Sequence, residues 1–430
     1  MPEKLIQDGP KKPRLTRFFE ALGPGIVTGA ADDDPSGIGT YTAAGAQFGT
    51  SLLWSALLTW PMMSFVQIMC ARIGMVTGQG LAAALKNKFP RSIILLFSCL
   101  LFVANTLNIG ADLAAMADAA ELLTGFSSRL AGAFFSILFG IGISIAIVKL
   151  HYRQISRVLT WLALFLLAYV INVFLATPDW KNLLNISFIP TVPKSSSEWS
   201  MLVAILGTTI SPYLFFWQAA EEVEVGKGRG QISIQSRIGA TNEELVDRRF
   251  DVTIGSFFSN IVMYFIILAT ALTLFKNGVR NVETSRQAAE ALRPLAGALS
   301  ATIYTIGLLG VGFLAIPTLA GSAAYAFSET FHWRQGLDQS LRRAPAFYAV
   351  VLLSMAIAIS MTLVGFNPIK ALYWSAVVNG LLAPFLILGI LVVARDKKTM
   401  RGQPSSRLSL AAVTLTMLLM FTAAIAMFIT

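Results

Sequence analysis

Along the 430 residues, apolar positions come in long unbroken blocks, not at the two-residue spacing of a half-buried strand. A helix needs about 20 apolar residues to cross a bilayer, and blocks of that order recur over the whole chain. They predict eleven membrane-spanning helices, at 22–47, 50–73, 93–124, 130–150, 153–176, 200–222, 251–275, 298–327, 346–364, 369–394 and 408–429. An odd number of spans puts the two termini on opposite sides.

Two of these blocks are interrupted. "GAADDDPSGIGTY", residues 29–41, sets Asp32, Asp33, Asp34 and Pro35 in the middle of the first span. "AILGTTISPYLFFWQAAEE" puts Pro212 in the middle of the sixth, after Thr208, Thr209 and Ser211. Proline removes a backbone donor, and Gly37 and Gly39 tolerate non-helical angles. In lipid, an opened backbone is tolerated only where it lines a cavity or is buried in protein. Pro35 and Pro212 are therefore read as breaks, and Pro61, Pro317 and Pro384 as ordinary kinks. The breaks lie five spans apart, so the two halves run through the membrane in opposite directions. The pattern predicts an all-α membrane protein with one domain over 21–430. It would contain inverted repeats at about 21–176 and 200–394 and an extra helix at 408–429, and the substrate would lie between the breaks.

Composition agrees: 55% of residues are hydrophobic and only 13% charged, about half the charge of a soluble domain. The net charge of +10 raises the question of a polyanionic partner. Its distribution answers it. With residues 1–20 taken as a cytoplasmic segment, 25 of the 33 Lys and Arg fall on the cytoplasmic side and 8 outside. That bias orients the chain with its N-terminus in the cytoplasm and its C-terminus outside, and leaves no case for nucleic acid. The first 20 residues carry no signal-peptide pattern, and the compact loops point to a bacterial inner membrane. Cys70 and Cys99 lie inside apolar spans and read as small buried hydrophobes.

An ionised carboxylate in mid-membrane needs a cation or a water-filled cavity. Asp34 is placed to be a ligand, because the unwound backbone beside it offers carbonyls, and carboxylate plus carbonyl oxygens suit a hard cation. The alternative role for Asp34 is a helix cap. Ser36 and Gly37 from the first break, with Thr209, Ser211, Tyr213 and Gln218 from the second, complete the candidate cation site. Asp32 and Asp33 are expected toward a cytoplasmic vestibule. Asn105, Asn108 and Asp112 share one face of span three and read either as ion pathway or as helix–helix hydrogen bonds. Glu221 and Asn379 are further pathway candidates. The isolated "GKGRG" near 226–230 lacks the strand and the Ser/Thr of a phosphate loop, so no ATP is expected. No nucleophile is paired with a base, and neither an enzymatic role nor a cofactor is expected.

The stretches "LGPGIVTGAADDDPSGIGTYTAAGAQFG", "ARIGMVTGQGLA", "IGADLAAMADAAELL", "RVLTWLALFLLAYVINVFLATPDW", "LGTTISPYLFFWQ" and "RRFDVTIGSFFSNIVMYFII" resemble the Nramp (natural-resistance-associated macrophage protein) family of divalent-metal transporters over nearly the whole chain. The resemblance implies the leucine-transporter fold, with the metal between broken helices one and six. The departures carry information too. The family's Asp-Pro-Gly-Asn is here Asp34-Pro35-Ser36-Gly37, and its Met-Pro-His is Ser211-Pro212-Tyr213. The methionine ligand and the proton-linked histidine are thus absent. His151 and His332 fall in loops, so no imidazole and no well-placed thioether is expected at the site. On helix three the family's Asp is Asp112, but its Glu is Ala115.

A thioether favours soft or borderline metals. Without it the site resembles that of a divergent magnesium-transporting branch, and magnesium becomes the expected substrate, with manganese still open. The loss of two acid-chain members points away from proton coupling. Two charges moving through 100 mV gain about 4.6 kcal/mol, enough to drive uptake without protons. A proton-coupled manganese or iron importer is the alternative. A sodium-coupled organic-solute symporter of the same fold is less favoured, since three acids at the first break repel an anionic substrate.

Overall fold

The computed structural model describes residues 24–126, 128–150, 164–176, 178–282, 285–290, 297–363 and 367–430. In chain order its helices are α1 (Pro24–Asp32), α2 (Pro35–Phe48), α3 (Trp54–Thr77), α4 (Leu81–Leu85), α5 (Arg91–Thr124), α6 (Arg129–Lys149), α7 (Leu167–Leu175), α8 (Trp180–Phe188) and α9 (Ser196–Thr209). There follow α10 (Pro212–Gly228), α11 (Ile234–Arg237), α12 (Asn242–Thr270), α13 (Ser285–Glu290), α14 (Ser300–Phe331), α15 (Pro345–Leu363), α16 (Pro368–Arg395) and α17 (Arg407–Ile429). The described residues contain no strand.

Nine helices among the described residues are long and apolar enough to cross a membrane, with Ser196–Gly228 counted as one. The predicted first span is present as two short helices, α1 and α2. Of the predicted span at 153–176, residues 153–163 lie outside the described residues and the remainder ends in α7. The seventh span starts at Asn242, nine residues before the predicted 251. A capping box is the reason: Glu244 N–H donates to Thr241 Oγ1 (3.2 Å), and Thr241 N–H donates to Glu244 Oε2 (2.9 Å). The extension lifts Arg248 out of the expected loop and onto the helix that carries Asp251.

Burial separates centre from periphery. In Ser196–Gly228, 89% of the most apolar window is buried, against 22% in Leu130–Lys149 and 33% in both α15 and α17. The broken sixth span therefore sits at the centre, and α6, α15 and α17 form the lipid-facing rim. α1 packs on α12, α9 on α16, α14 on α5, and α10 on α3 and α14. Two contacts bring backbones together through glycine, as small residues allow in membranes. A Cβ on Gly29 would run into the Gly255 backbone, and one on Gly207 into that of Gly380. Cys70 is buried as expected, but Cys99 is exposed on the outer face of α5.

Both predicted breaks are present. The first helix stops at Asp32 and resumes at Pro35, and the sixth stops at Thr209 and resumes at Pro212. In each, proline occupies the first helical position, where its missing N–H costs nothing.

Candidate cation site between the two helix breaks

Asp34 stands at the N-cap of α2 in extended backbone (φ −65°, ψ 168°). Its Oδ1 accepts the N–H of Gly37 at 2.7 Å, and its Oδ2 accepts Nδ2 of Asn108 at 3.0 Å. The capping role and the central position thus coincide in one residue. Each oxygen keeps lone-pair capacity for a cation. Asn108 is oriented in turn by Ser375 of α16, whose hydroxyl donates to Asn108 Oδ1 at 2.7 Å. Ser36 Oγ lies 3.5 Å from Ser375 Oγ. One side of Asp34 is thereby built from α2, α5 and α16. Gly37 is held closely: a Cβ there would meet the Tyr41 ring at 3.3 Å and Thr208 Oγ1 at 3.4 Å.

Asp32 and Asp33 do not face an open vestibule. They are 0% and 1% exposed, packed against α12. Ser259 Oγ lies 2.7 Å from Asp32 Oδ2 and 3.1 Å from Asp33 Oδ1, while Asp32 Oδ1 and Asp33 Oδ2 have no partner. Asp112 is fully buried within charge–charge reach of Asp34; the Ser36 backbone amide is near it, yet neither of its oxygens has a partner of hydrogen-bond geometry. Among the described residues no Lys, Arg or His pairs with any of these four acids. So much negative charge inside a membrane is costly unless a cation shares it. No three acidic, imidazole or thiol groups among the described residues converge as a ready metal cage, so a cation here needs water or rearrangement to complete its shell.

The second break contributes oxygen without charge. Ser211 Oγ lies 2.8 Å from Gly207 O and 2.7 Å from Thr208 O. Tyr213 Oη donates to Ala31 O at 2.9 Å. Three carbonyls in the turns before the breaks, those of Ala31, Gly207 and Thr208, are therefore engaged by side-chain hydroxyls. Thr209 Oγ1 donates to Ile205 O at 2.8 Å and lies 3.1 Å from Tyr41 Oη. It also lies 3.7 Å from Met263 Sδ. A thioether of α12 thus stands beside Thr209.

Gln218 bonds to groups other than the four aspartates. Its Oε1 accepts Thr28 Oγ1 and its Nε2 donates to Glu222 Oε1, both at 2.9 Å. Glu222 pairs with Arg248 (2.6 Å), which also reaches Asp251, and Asp251 Oδ2 accepts the N–H of Gly25 at 2.8 Å. This chain clamps the Gly25 end of α1 to α10 and α12. The polar stripe on α5 divides. Asn108 reaches Asp34, whereas Asn105 Nδ2 donates to Leu319 O and Ser322 Oγ of α14, both at 2.8 Å, as a packing residue would. Glu221 is buried on α10 among other acids, and Asn379 is buried on α16 with its Oδ1 unpartnered.

Sequence reading missed Ser259, Ser375, Tyr41, Arg248 and Asp251. Ser375 lies four residues before Asn379 on an otherwise apolar helix, a spacing that marks one polar face. Arg248 and Asp251, three apart at the start of an apolar block, carried a similar signal. Ser259 and Tyr41 carried none.

A sequence profile described as "Natural resistance-associated macrophage protein-like" matches residues 25–430. The chain is 28% identical over 401 residues to a protein named divalent metal cation transporter MntH from Caldanaerobacter subterraneus subsp. tengcongensis, covering 90% of this chain and 87% of that one. It is 26% identical over 352 residues to the protein of the same name from Yersinia pestis, covering 80% and 81%. Among solved structures, the Eremococcus coleocola manganese transporter, in complex with an aromatic bis-isothiourea substituted compound, aligns with a TM-score of 0.76 at 18% identity, over 98% of this chain and 90% of that one. Mhp1, a nucleobase-cation-symport-1 family transporter, aligns with a TM-score of 0.58 at 14% identity, over 95% and 90%. At those identities the likeness speaks for the fold alone, the leucine-transporter arrangement that the family resemblance implies.

Proposed function

The chain belongs to the Nramp family, and from that premise we propose that it carries divalent metal cations across a membrane by alternating access, with Asp34 as the charged ligand between the breaks. One observation carries the reading: Asp34 is buried at the first break, its carboxylate is held by the neutral donors Gly37 N–H and Asn108 Nδ2, and no basic side chain among the described residues pairs with it. Ser36, Gly37, Thr209, Ser211 and Tyr213 surround the path, and Gln218 belongs to the clamp at the Gly25 end. Manganese is the cation named for the structural relative and the first to try. Magnesium is supported by the oxygen-rich surroundings and by Ser211 standing where a thioether is expected. Repeats at 21–176 and 200–394, a cytoplasmic N-terminus and a bacterial inner membrane remain parts of this proposal.

Transport driven by voltage without protons follows from Ala115 and Tyr213. Proton-coupled manganese import is the second reading, favoured by Asp112, which stays buried beside Asp34 with both oxygens unpartnered. The test is influx into liposomes holding the purified protein, with dyes for magnesium, manganese and internal pH, for wild type and Asp34→Ala. Entry of either ion that requires Asp34 supports the proposal. Acidification accompanying metal entry selects the second reading. Entry of neither ion, or entry unaffected by Asp34→Ala, rejects both.

A further inference from the structure

A cavity of about 380 Å³ lies between α5, α15 and α16, a size that holds a small ligand. Its α5 wall is Leu107, Gly110, Ala111 and Ala114, spaced i, i+3, i+4 and i+7 on one helix face. Three of these four are Gly or Ala, and their small side chains leave the space. From α15 come Met361 and Thr362, the latter with its hydroxyl 2.7 Å from Ile359 O of its own helix. From α16 come Lys370, Trp374, Ser375 and Val378. Among the described residues none of α1, α2, α9 or α10 lines it, so it is not the space between the breaks. The two spaces touch through buried Ser375, which lines this cavity and also donates to Asn108, the amide that holds Asp34.

The cavity is open on the lipid side. Trp374 and Val378 are 58% and 37% exposed, on the outer surface of α16. Along α5, Leu107 continues a row with the exposed Val103 and Leu100. The one ionisable side chain in the lining is Lys370, and no acid among the described residues lines it. Lys370 is exposed in the first turn of α16, where its ammonium adds to the positive end of the helix dipole, and both favour an anion. An apolar wall, a cation at the rim and an aromatic ring beside it fit an amphiphile with an anionic head. We propose that this cavity binds one anionic phospholipid of the surrounding bilayer, its acyl chain along Leu107 and Ala114 and its phosphate at Lys370. A zwitterionic lipid offers the same chain without the net charge. Through Ser375 the bound lipid stands one hydrogen bond from Asn108 and two from Asp34.

The experiment uses the full-length purified protein in vesicles of equal parts phosphatidylglycerol and phosphatidylcholine, with bromine on the acyl chains of one lipid or of the other. Bromine quenches tryptophan fluorescence at contact range, and the difference between wild type and Trp374→Phe isolates the signal of Trp374. The expected result is that phosphatidylglycerol occupies the contact with Trp374 about fivefold more often than phosphatidylcholine, the preference one lysine gives. Lys370→Gln is expected to abolish that preference. Ala114→Phe, which fills the cavity from α5, is expected to abolish it as well while leaving Lys370 in place. Equal quenching by the two lipids in wild type overturns the inference. A preference that survives Lys370→Gln overturns it, as does one that survives Ala114→Phe, since that marks lipid gathered at the surface and not in the cavity. Should Ala114→Phe not yield monodisperse protein, Ala114→Leu is read in the same terms. Binding is read here without transport, so failure of the proposed function leaves these outcomes unchanged.

Discussion

At the first break Asp34 reaches forward, to the N–H of Gly37; at the second Ser211 reaches back, to the carbonyls of Gly207 and Thr208. The difference follows from what each side chain carries. An ionised carboxylate only accepts and must turn toward N–H groups, whereas a hydroxyl also donates and can cover carbonyls. The first break therefore concentrates charge, with Asp32, Asp33 and Asp34 in three consecutive positions. The second holds oxygen without charge, and through Tyr213 it also covers a carbonyl of the first. Under the proposed function, the first break supplies the charge that draws a cation and the second supplies neutral oxygen beside it.

Removing the charge breaks this contrast most severely. Asp34→Ala is expected to lower uptake of every divalent ion by about 100-fold or more, beyond what loss of an outer-shell partner costs, measured as initial flux in liposomes. Arg248→Met comes next. It unties the clamp from Gln218 and Glu222 on α10 to Asp251 and Gly25, leaving two buried carboxylates without their cation. Loss of one partner of a buried pair costs about 3–5 kcal/mol, so a marked drop in thermal stability in detergent is expected, with the thermal midpoint as the readout. Asn108→Ala sharpens the contrast. It leaves the charge on Asp34 but removes its orienting amide, and metal affinity is expected to fall about tenfold, read as a higher KM with little change in maximal rate.

Ser211→Ala exposes two carbonyls at the uncharged break and is expected to cost roughly 1 kcal/mol of stability, seen as a small loss in thermal midpoint. The smallest effect lies away from both breaks. Asp396 is held well below the usual carboxylate range by the Thr399 hydroxyl, Lys88 and the Thr399 N–H. A lowered value makes its contribution present above about pH 4, where the unfolded side chain is ionised, and lost as pH falls through the lowered value. Asp396→Asn is expected to shift the midpoint by about 1 °C or less at neutral pH, and by still less in acid.

The breaks themselves were legible because proline and glycine act on their own backbone, whatever surrounds them. Asp34 was legible for a related reason: an acid beside a break in an apolar span has few roles open to it. Asp32 and Asp33 were misplaced, because nothing in "ADDDP" says which way the last turn of α1 faces. That is decided by α12, where Gly255 lets the two backbones touch at Gly29 and Ser259 offers the hydroxyl. The thioether beside Thr209 was not legible either, because Met263 arrives from a helix more than fifty residues away.

Span positions, charge bias, both breaks and the presence of acid between them are properties of short stretches of chain, and the amino-acid order sets them directly. Which partner each polar atom takes is not such a property. Tyr213 has to find Ala31 across 182 residues of chain, and Asn108 has to find Asp34 across 74. In a dry interior every donor and acceptor must be matched. Those matches exist only once the helices have packed, and they decide which polar atoms stay unpaired between the breaks.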